Sequence, residues 1–229
     1  MYFCSYCEEF KEGNTDGLFL RLFKEEGIST RILKETDNFL VFPTLGAFVE
    51  GYLLIAPKKH FLSIGALPDE MYPELKELLK EVKKDLSKYY CKPILFEHGP
   101  ISKILKGGCC IDHAHIHIVP VKVDILDEIK YFLGTPRQIH TIEELKNEVV
   151  NGRQYIFYEN HEEDKFIFNP SIVPSQFVRQ ILAVKLGIPH KWDWRSNIEK
   201  EKILNTIKLL RKVWGNKELN KEKSLLNVK

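Results

Sequence analysis

Apolar residues recur along this chain at two different periods. Met71, Leu75, Leu78, Leu79, Val82 and Leu86 fall at helical spacing behind Pro68-Asp69-Glu70, which supplies a proline and two acids for a first turn. That pattern predicts one long helix with a buried face. Elsewhere the apolar runs shorten to strand length: residues 31–33, 39–42, 52–56, 93–97 and 110–119 read as strands, and 16–25 as a short helix ahead of them. Residues 101–108 form a lysine-bearing loop ending in Gly107-Gly108. Five strands joined mostly by short turns, with one long helix, predict an α+β fold built on a five-stranded antiparallel sheet covered on one face.

The second half alternates helical and extended patterns. Residues 125–133 read as helix, and Thr141-Ile142-Glu143-Glu144 has the spacing of a capping box that opens another. Residues 155–158 and 165–168 read as a hairpin around an acidic turn, 175–186 as a helix stopped by Gly187 and Pro189, and 199–214 as a last helix before a lysine-rich tail expected to fray. No low-complexity linker or repeat intervenes. Residues 123–229 are therefore expected to form a C-terminal α/β extension docked on a domain of residues 1–122.

Composition narrows the function classes. The 229 residues can bury a sizeable core, and 29% charged with 44% hydrophobic residues is ordinary for a globular protein. A formal net charge of +2 does not by itself argue for nucleic acid. No apolar run approaches the roughly 18–20 residues that span a membrane, and no charged start leads into an apolar segment, so no membrane partner is expected. The five cysteines, arranged as Cys4-x-x-Cys7, Cys91 and Cys109-Cys110, do not resemble a secreted disulfide framework. Reduced thiols and a cytoplasmic location are the expectation.

The most chemically pointed segment is Asp112-His113-Ala114-His115-Ile116-His117-Ile118-Val119-Pro120. In an extended strand successive side chains point to opposite faces, so His113, His115 and His117 share one face while Ala114, Ile116 and Ile118 form the other. Three imidazoles in a row disfavour one another's charging, and neutral ring nitrogens suit metal binding or nucleophilic attack.

His-x-His-x-His followed by apolar residues, with Gly107-Gly108 just upstream and Pro57-Lys58-Lys59-His60 about fifty residues earlier, resembles the histidine triad (HIT) superfamily of nucleotide hydrolases and transferases. The element order is also similar: Cys-x-x-Cys, a strand ending in Pro-Lys-x-His, one long helix, a strand into a glycine loop, then the triad strand. The resemblance covers residues 1–122. It implies a structural zinc held by Cys4, Cys7, His60 and His113, a closed tetrahedral shell of the Cys2His2 type. Without the resemblance, Cys4-x-x-Cys7 fits a redox motif as well. It further implies that His115 attacks the α-phosphorus of a nucleotide to form a nucleotidyl-histidine, chemistry a neutral imidazole can perform when its other nitrogen is held by a hydrogen bond. His117 would contact a phosphate oxygen, and backbone N–H groups around Gly107, Gly108, Cys109 and Cys110 would stabilise its charge. Dinucleoside polyphosphates and nucleoside phosphoramidates are the implied substrate classes.

Several positions depart from the family pattern. Cys109 and Cys110 stand where relatives often have Gln or Ser, Thr44 where they often have a ribose-binding Asp or Asn, Tyr52 where several have another histidine, and Glu97-His98 in place of an Asn-containing turn. Phe39 and Phe42 are candidates to flank a base, and Thr44 and Glu97 to line the nucleotide site. In the extension, Gln176 and Arg179 lie three apart on one side of a helix, where Arg179 can bind a phosphate bidentately or face solvent. Trp192-Asp193-Trp194-Arg195 offers stacking surfaces or a simple anchor. Two other classes stay open: a metallohydrolase using the histidine cluster as a catalytic metal site, and a nucleotide- or RNA-binding regulator without turnover. A homodimer is compatible with all of them.

Overall fold

The computed structural model describes residues 4–11, 13–14, 16–102 and 108–215. Two short helices, α1 (Ser5–Glu9) and α2 (Leu18–Leu22), precede strands β1 (Lys34–Glu35), β2 (Phe39–Pro43) and β3 (Leu53–Pro57). The long helix α3 (Tyr72–Tyr89) leads to β4 (Ile94–Gly99) and β5 (Ile116–Val119). The remainder is α4 (Leu126–Leu133), β6 (Arg137–Ile139), α5 (Lys146–Val150), β7 (Tyr155–Glu159), β8 (Lys165–Phe168), α6 (Phe177–Lys185) and α7 (Lys200–Trp214). Among the described residues no helix is long and apolar enough to cross a membrane.

All eight strands pair antiparallel in one sheet, in the order β1-β2-β3-β5-β4-β7-β8-β6. The five-stranded unit expected from the first half is present, and the extension widens it. A five-stranded sheet would leave the outer edge of β4 with a row of unpaired N–H and C=O groups; β7 pairs along it from Leu95↔Glu159 to Gly99↔Tyr155. The two halves of the sequence thus share a backbone ladder. Strand β6 escaped notice in the sequence because Arg137-Gln138-Ile139 has little strand character; it is a short edge strand paired to β8.

Both faces of the sheet are covered. On one, Val41, Leu53, Ile55, Leu95, Ile116, Ile118 and Phe157 pack against Leu75, Leu78, Leu79, Val82 and Leu86 of α3, the stripe predicted from periodicity. On the other, Leu40, Phe42, Leu54, Phe96, Val119 and Ile156 meet Ile129, Val178, Leu182, Ile203 and Ile207 from the helices of the extension. The expected single cover becomes two, which explains why β2, β3, β4, β5 and β7 are buried along their whole length.

Two strands are displaced from their predicted positions. The first lies at Lys34–Glu35 instead of 31–33, because Arg31 turns inward to bond Glu9 and the Pro43 carbonyl. The triad strand shrinks to Ile116–Val119: His113 N–H bonds back to Ile111 and Ala114 N–H to Phe61, so residues 111–115 run outside the ladder. The capping box at Thr141 forms as predicted, opening a 3-10 turn that runs into α5.

Candidate functional site

The three histidines divide between two neighbouring sites. His113, on the bent segment before β5, meets Cys4 at the start of α1, Cys7 within it, and His60 beyond β3. Cys4 Sγ lies 3.4 Å from His113 Nδ1, and Cys7 Sγ 3.5 Å from Nδ1 of both His113 and His60. Tetrahedral bonds of about 2.3 Å to sulfur and 2.0–2.1 Å to nitrogen place neighbouring donors about 3.6 Å apart, so these four groups fit a metal ion of that geometry. The outer nitrogen of His113 donates to the Pro57 carbonyl at 2.8 Å, which leaves Nδ1 with its lone pair facing the thiols.

His115 and His117 face a different space. His115 Nδ1–H donates to the His113 carbonyl at 2.7 Å, so its Nε2 carries no proton and keeps a free lone pair. Burial, opposed by that hydrogen bond and reinforced by His113 and two arginines, pushes His115 down to about 4. His117 stacks on Phe96 with ring centroids 4.3 Å apart and is pushed well below the usual histidine range by burial, then by His115 and His98. The Tyr52 hydroxyl, kept protonated by burial, donates to His117 Nδ1 at 2.8 Å and leaves that ring's proton on Nε2. Both rings are neutral at pH 7, and their centroids lie 4.8 Å apart.

The opposite wall comes from the extension. Gln176, the N-cap of α6, takes a left-handed φ of 60° and bonds its N–H to the carbonyl of Gly108, itself at φ 80°, which ties α6 to the glycine loop. The guanidinium of Arg179 is buried at 2% exposure, donating to the carbonyls of Trp192 (3.0 Å) and Gly46 (2.8 Å) and lying 4.4 Å from the Phe48 ring centre. Arg179 Nη1 and Gln176 Oε1 are buried without a hydrogen-bond partner among the described residues. Among the described residues no carboxylate is within ion-pair distance of Arg179, whereas Arg31, also on the cavity wall, is matched bidentately by Glu9 at 2.6 and 2.8 Å. The cavity measures about 60 Å3. His98, Thr44, Cys109, Cys110 and Trp194 complete its wall, with Tyr6 edge-on to His115 at 5.6 Å.

Three expected residues lie elsewhere. Glu97 points to the α3 face, where it accepts from Ile64 N–H at 2.7 Å and the Tyr155 hydroxyl at 2.6 Å; the neighbour that reaches the cavity is His98. The reason is strand alternation, which puts adjacent residues of β4 on opposite faces. Phe39 and Phe42 fail the same test, since residues three apart on a strand cannot flank one base: Phe39 packs with α3, and Phe42 lies under Arg31, Tyr6 and Phe10. Cys109 directs its thiol to the Ile111 carbonyl. Gly107 lies outside the described residues. Tyr6, Arg31 and His98 were not singled out in the sequence as site residues, and only His98, by its type and place beside a turn, left a signal there.

The HIT domain family model matches residues 25–123. An uncharacterized HIT-like protein of Methanocaldococcus jannaschii is 28% identical over 105 residues, covering 45% of this chain and 77% of that protein. Solved structures similar to this one include a hypothetical histidine triad nucleotide-binding protein from Sulfolobus tokodaii (20% identity, TM-score 0.37, 65% of this chain and 93% of the other). Another is a Zn-bound histidine triad family protein from Mycobacterium smegmatis (18% identity, TM-score 0.36, 58% and 93%). Residues 25–123, under half of the chain, are thus similar to the HIT domain.

Proposed function

We propose that this protein hydrolyses or transfers a nucleoside monophosphate group through a covalent histidine intermediate, with dinucleoside polyphosphates or nucleoside phosphoramidates as the substrate class. One observation carries it: the unprotonated Nε2 of His115 shares a cavity with the buried guanidinium of Arg179, which has no carboxylate partner among the described residues. A buried cation without a counter-charge is strongly unfavourable, and a bound phosphate relieves it. The cavity is far smaller than the roughly 300–1,000 Å3 of sites that engulf a whole small molecule, so it suits the phosphate end of a nucleotide.

In this scheme His115 Nε2 attacks the α-phosphorus, the bond from phosphorus to the leaving group breaks, and the leaving atom departs with the electron pair and takes up a proton. Water or another acceptor then cleaves the P–N bond and frees His115. His117 Nε2–H and Arg179 neutralise charge on the phosphate oxygens. Gln176, Gly108 and the backbone at Cys109 and Cys110 close the phosphate site, with Thr44 beside it.

The cluster of Cys4, Cys7, His60 and His113 fits zinc by donor type and spacing. With four protein donors the ion is structural: it anchors α1 and the bent segment that carries His115, and no catalytic step passes through it. His115 and His117 stand outside that shell.

The test is His115→Ala, assayed by mass spectrometry against a panel of nucleotides. It should lower kcat by at least about 10³-fold with the fold and metal content unchanged, and the quenched wild-type reaction should carry a nucleotidyl adduct on His115. Normal turnover in the variant, or an adduct on another residue, overturns the scheme.

A further inference from the structure

His98 sits on β4 at 6% exposure, with its ring edge-on to His117 at 6.4 Å between centroids. Its Nε2 accepts the backbone N–H of Val178 at 3.3 Å. An imidazole nitrogen that accepts carries no proton, so the neutral ring holds its single proton on Nδ1. Val178 lies in the first turn of α6, where backbone N–H groups lack helical partners and the positive end of the helix dipole opposes an imidazolium.

The ring is held in place on that side. A Cβ at Gly108 would come within 3.1 Å of His98 Cδ2, so the Cδ2–Nε2 edge is packed between the glycine loop and α6. Among the described residues no group takes the Nδ1–H, although His98 borders the same cavity as His115, His117 and Arg179. Nδ1 is the open edge of a ring whose other edge is occupied.

We propose that His98 is a substrate-contacting donor, its Nδ1–H binding an oxygen of the phosphate group beside His115, with α6 of the extension setting the tautomer. This rests on the nucleotide function proposed above. It gives the C-terminal half a second way into the phosphate site besides Arg179, through a helix amide that acts on a histidine of the HIT domain. It also supplies a donor in a site where Cys109 and Cys110 replace the polar side chains expected in a HIT protein.

Two substitutions separate donor from prop. Asn carries an amide near the position of Nδ1, and Gln near that of Nε2. His98→Asn should keep kcat/KM within about fivefold of wild type, while His98→Gln, which still reaches the Val178 amide, should lose roughly tenfold or more. The reverse order would reduce His98 to a cap on α6 and overturn the proposal. A multiple-bond ¹⁵N–¹H spectrum of the wild-type chain provides a readout independent of activity and of how the variants fold. It should show Nδ1 protonated and Nε2 bare, with the Nδ1 resonance moving on addition of AMP. A proton on Nε2, or an Nδ1 indifferent to saturating AMP, also overturns the proposal. A wild-type chain that shifts His98 Nδ1 with AMP yet turns over no nucleotide would instead refute the hydrolase function and leave the donor assignment standing.

Discussion

Glu97 and His98 are neighbours on β4, both buried and both titratable, yet they belong to different kinds of surroundings. Glu97 faces α3, where Ile64 and Tyr155 occupy its two oxygens and burial pushes it up to about 8. His98 faces the other way, is pushed down to about 3 by burial and then by His115 and Arg179, and keeps one nitrogen without a partner among the described residues. The contrast extends to the two faces of the sheet. The α3 face is closed by apolar packing around a satisfied carboxyl group; the histidine face leaves Arg179 Nη1 and Gln176 Oε1 without hydrogen bonds among the described residues. Two unpaired buried groups bordering one cavity with His115 point to that cavity as a ligand site.

The largest effect should come from removing what holds the histidine face together. Chelating the metal, or Cys4→Ser, should lower Tm by about 10 °C, equivalent to several kcal/mol in a chain of this size. Measuring the metal content and melting curve checks this, and equal stability with and without metal would place both faces on packing alone. Next is Arg179→Met, which removes a charged donor from the cavity. It should lower kcat/KM about ten- to more than hundredfold, corresponding to roughly 1.5–3 kcal/mol. If kinetics stay unchanged, the buried cation serves only Trp192 and Gly46 and the contrast between the faces dissolves.

The pH dependence of stability probes the satisfied face. Unfolded, Glu97 ionises near 4.5; folded, it keeps its proton to about 8. Between those values the native state binds the extra proton, so stability falls as pH rises, by at most about 1.4 kcal/mol per pH unit from this group. Glu97→Gln, which mimics the protonated carboxyl, should flatten most of that slope in denaturation midpoints taken from pH 5 to 8 and leave nucleotide turnover intact. A slope unchanged by the substitution would show that Glu97 is not the group that titrates.

Local patterning alone established much of this protein. The stripe from Met71 to Leu86, the capping box at Thr141 and the hairpin of β7 and β8 were legible because each is a short-range consequence of residue type and spacing. The alternation of His115 and His117 against Ala114, Ile116 and Ile118 was legible for the same reason, whereas His113, expected beside them, lies on the bent segment before β5 and turns to Cys4, Cys7 and His60. Glu97 and Phe39 were misplaced because the face a strand residue points to depends on register against neighbouring strands. The open edge of β4 could not be foreseen from its own residues; it is filled by β7, some sixty residues later in the chain, for the sake of backbone groups every strand carries alike. Arg179 illustrates the same division. Its presence on a helix beside Gln176 was plain in the sequence, but whether it faced solvent or a cavity depended on where the folded extension set α6 against Gly108 and His98. Sequence specifies the chemical groups and their local spacing, while burial and pairing between distant segments, which determine what those groups can do, exist only once the whole sheet has closed.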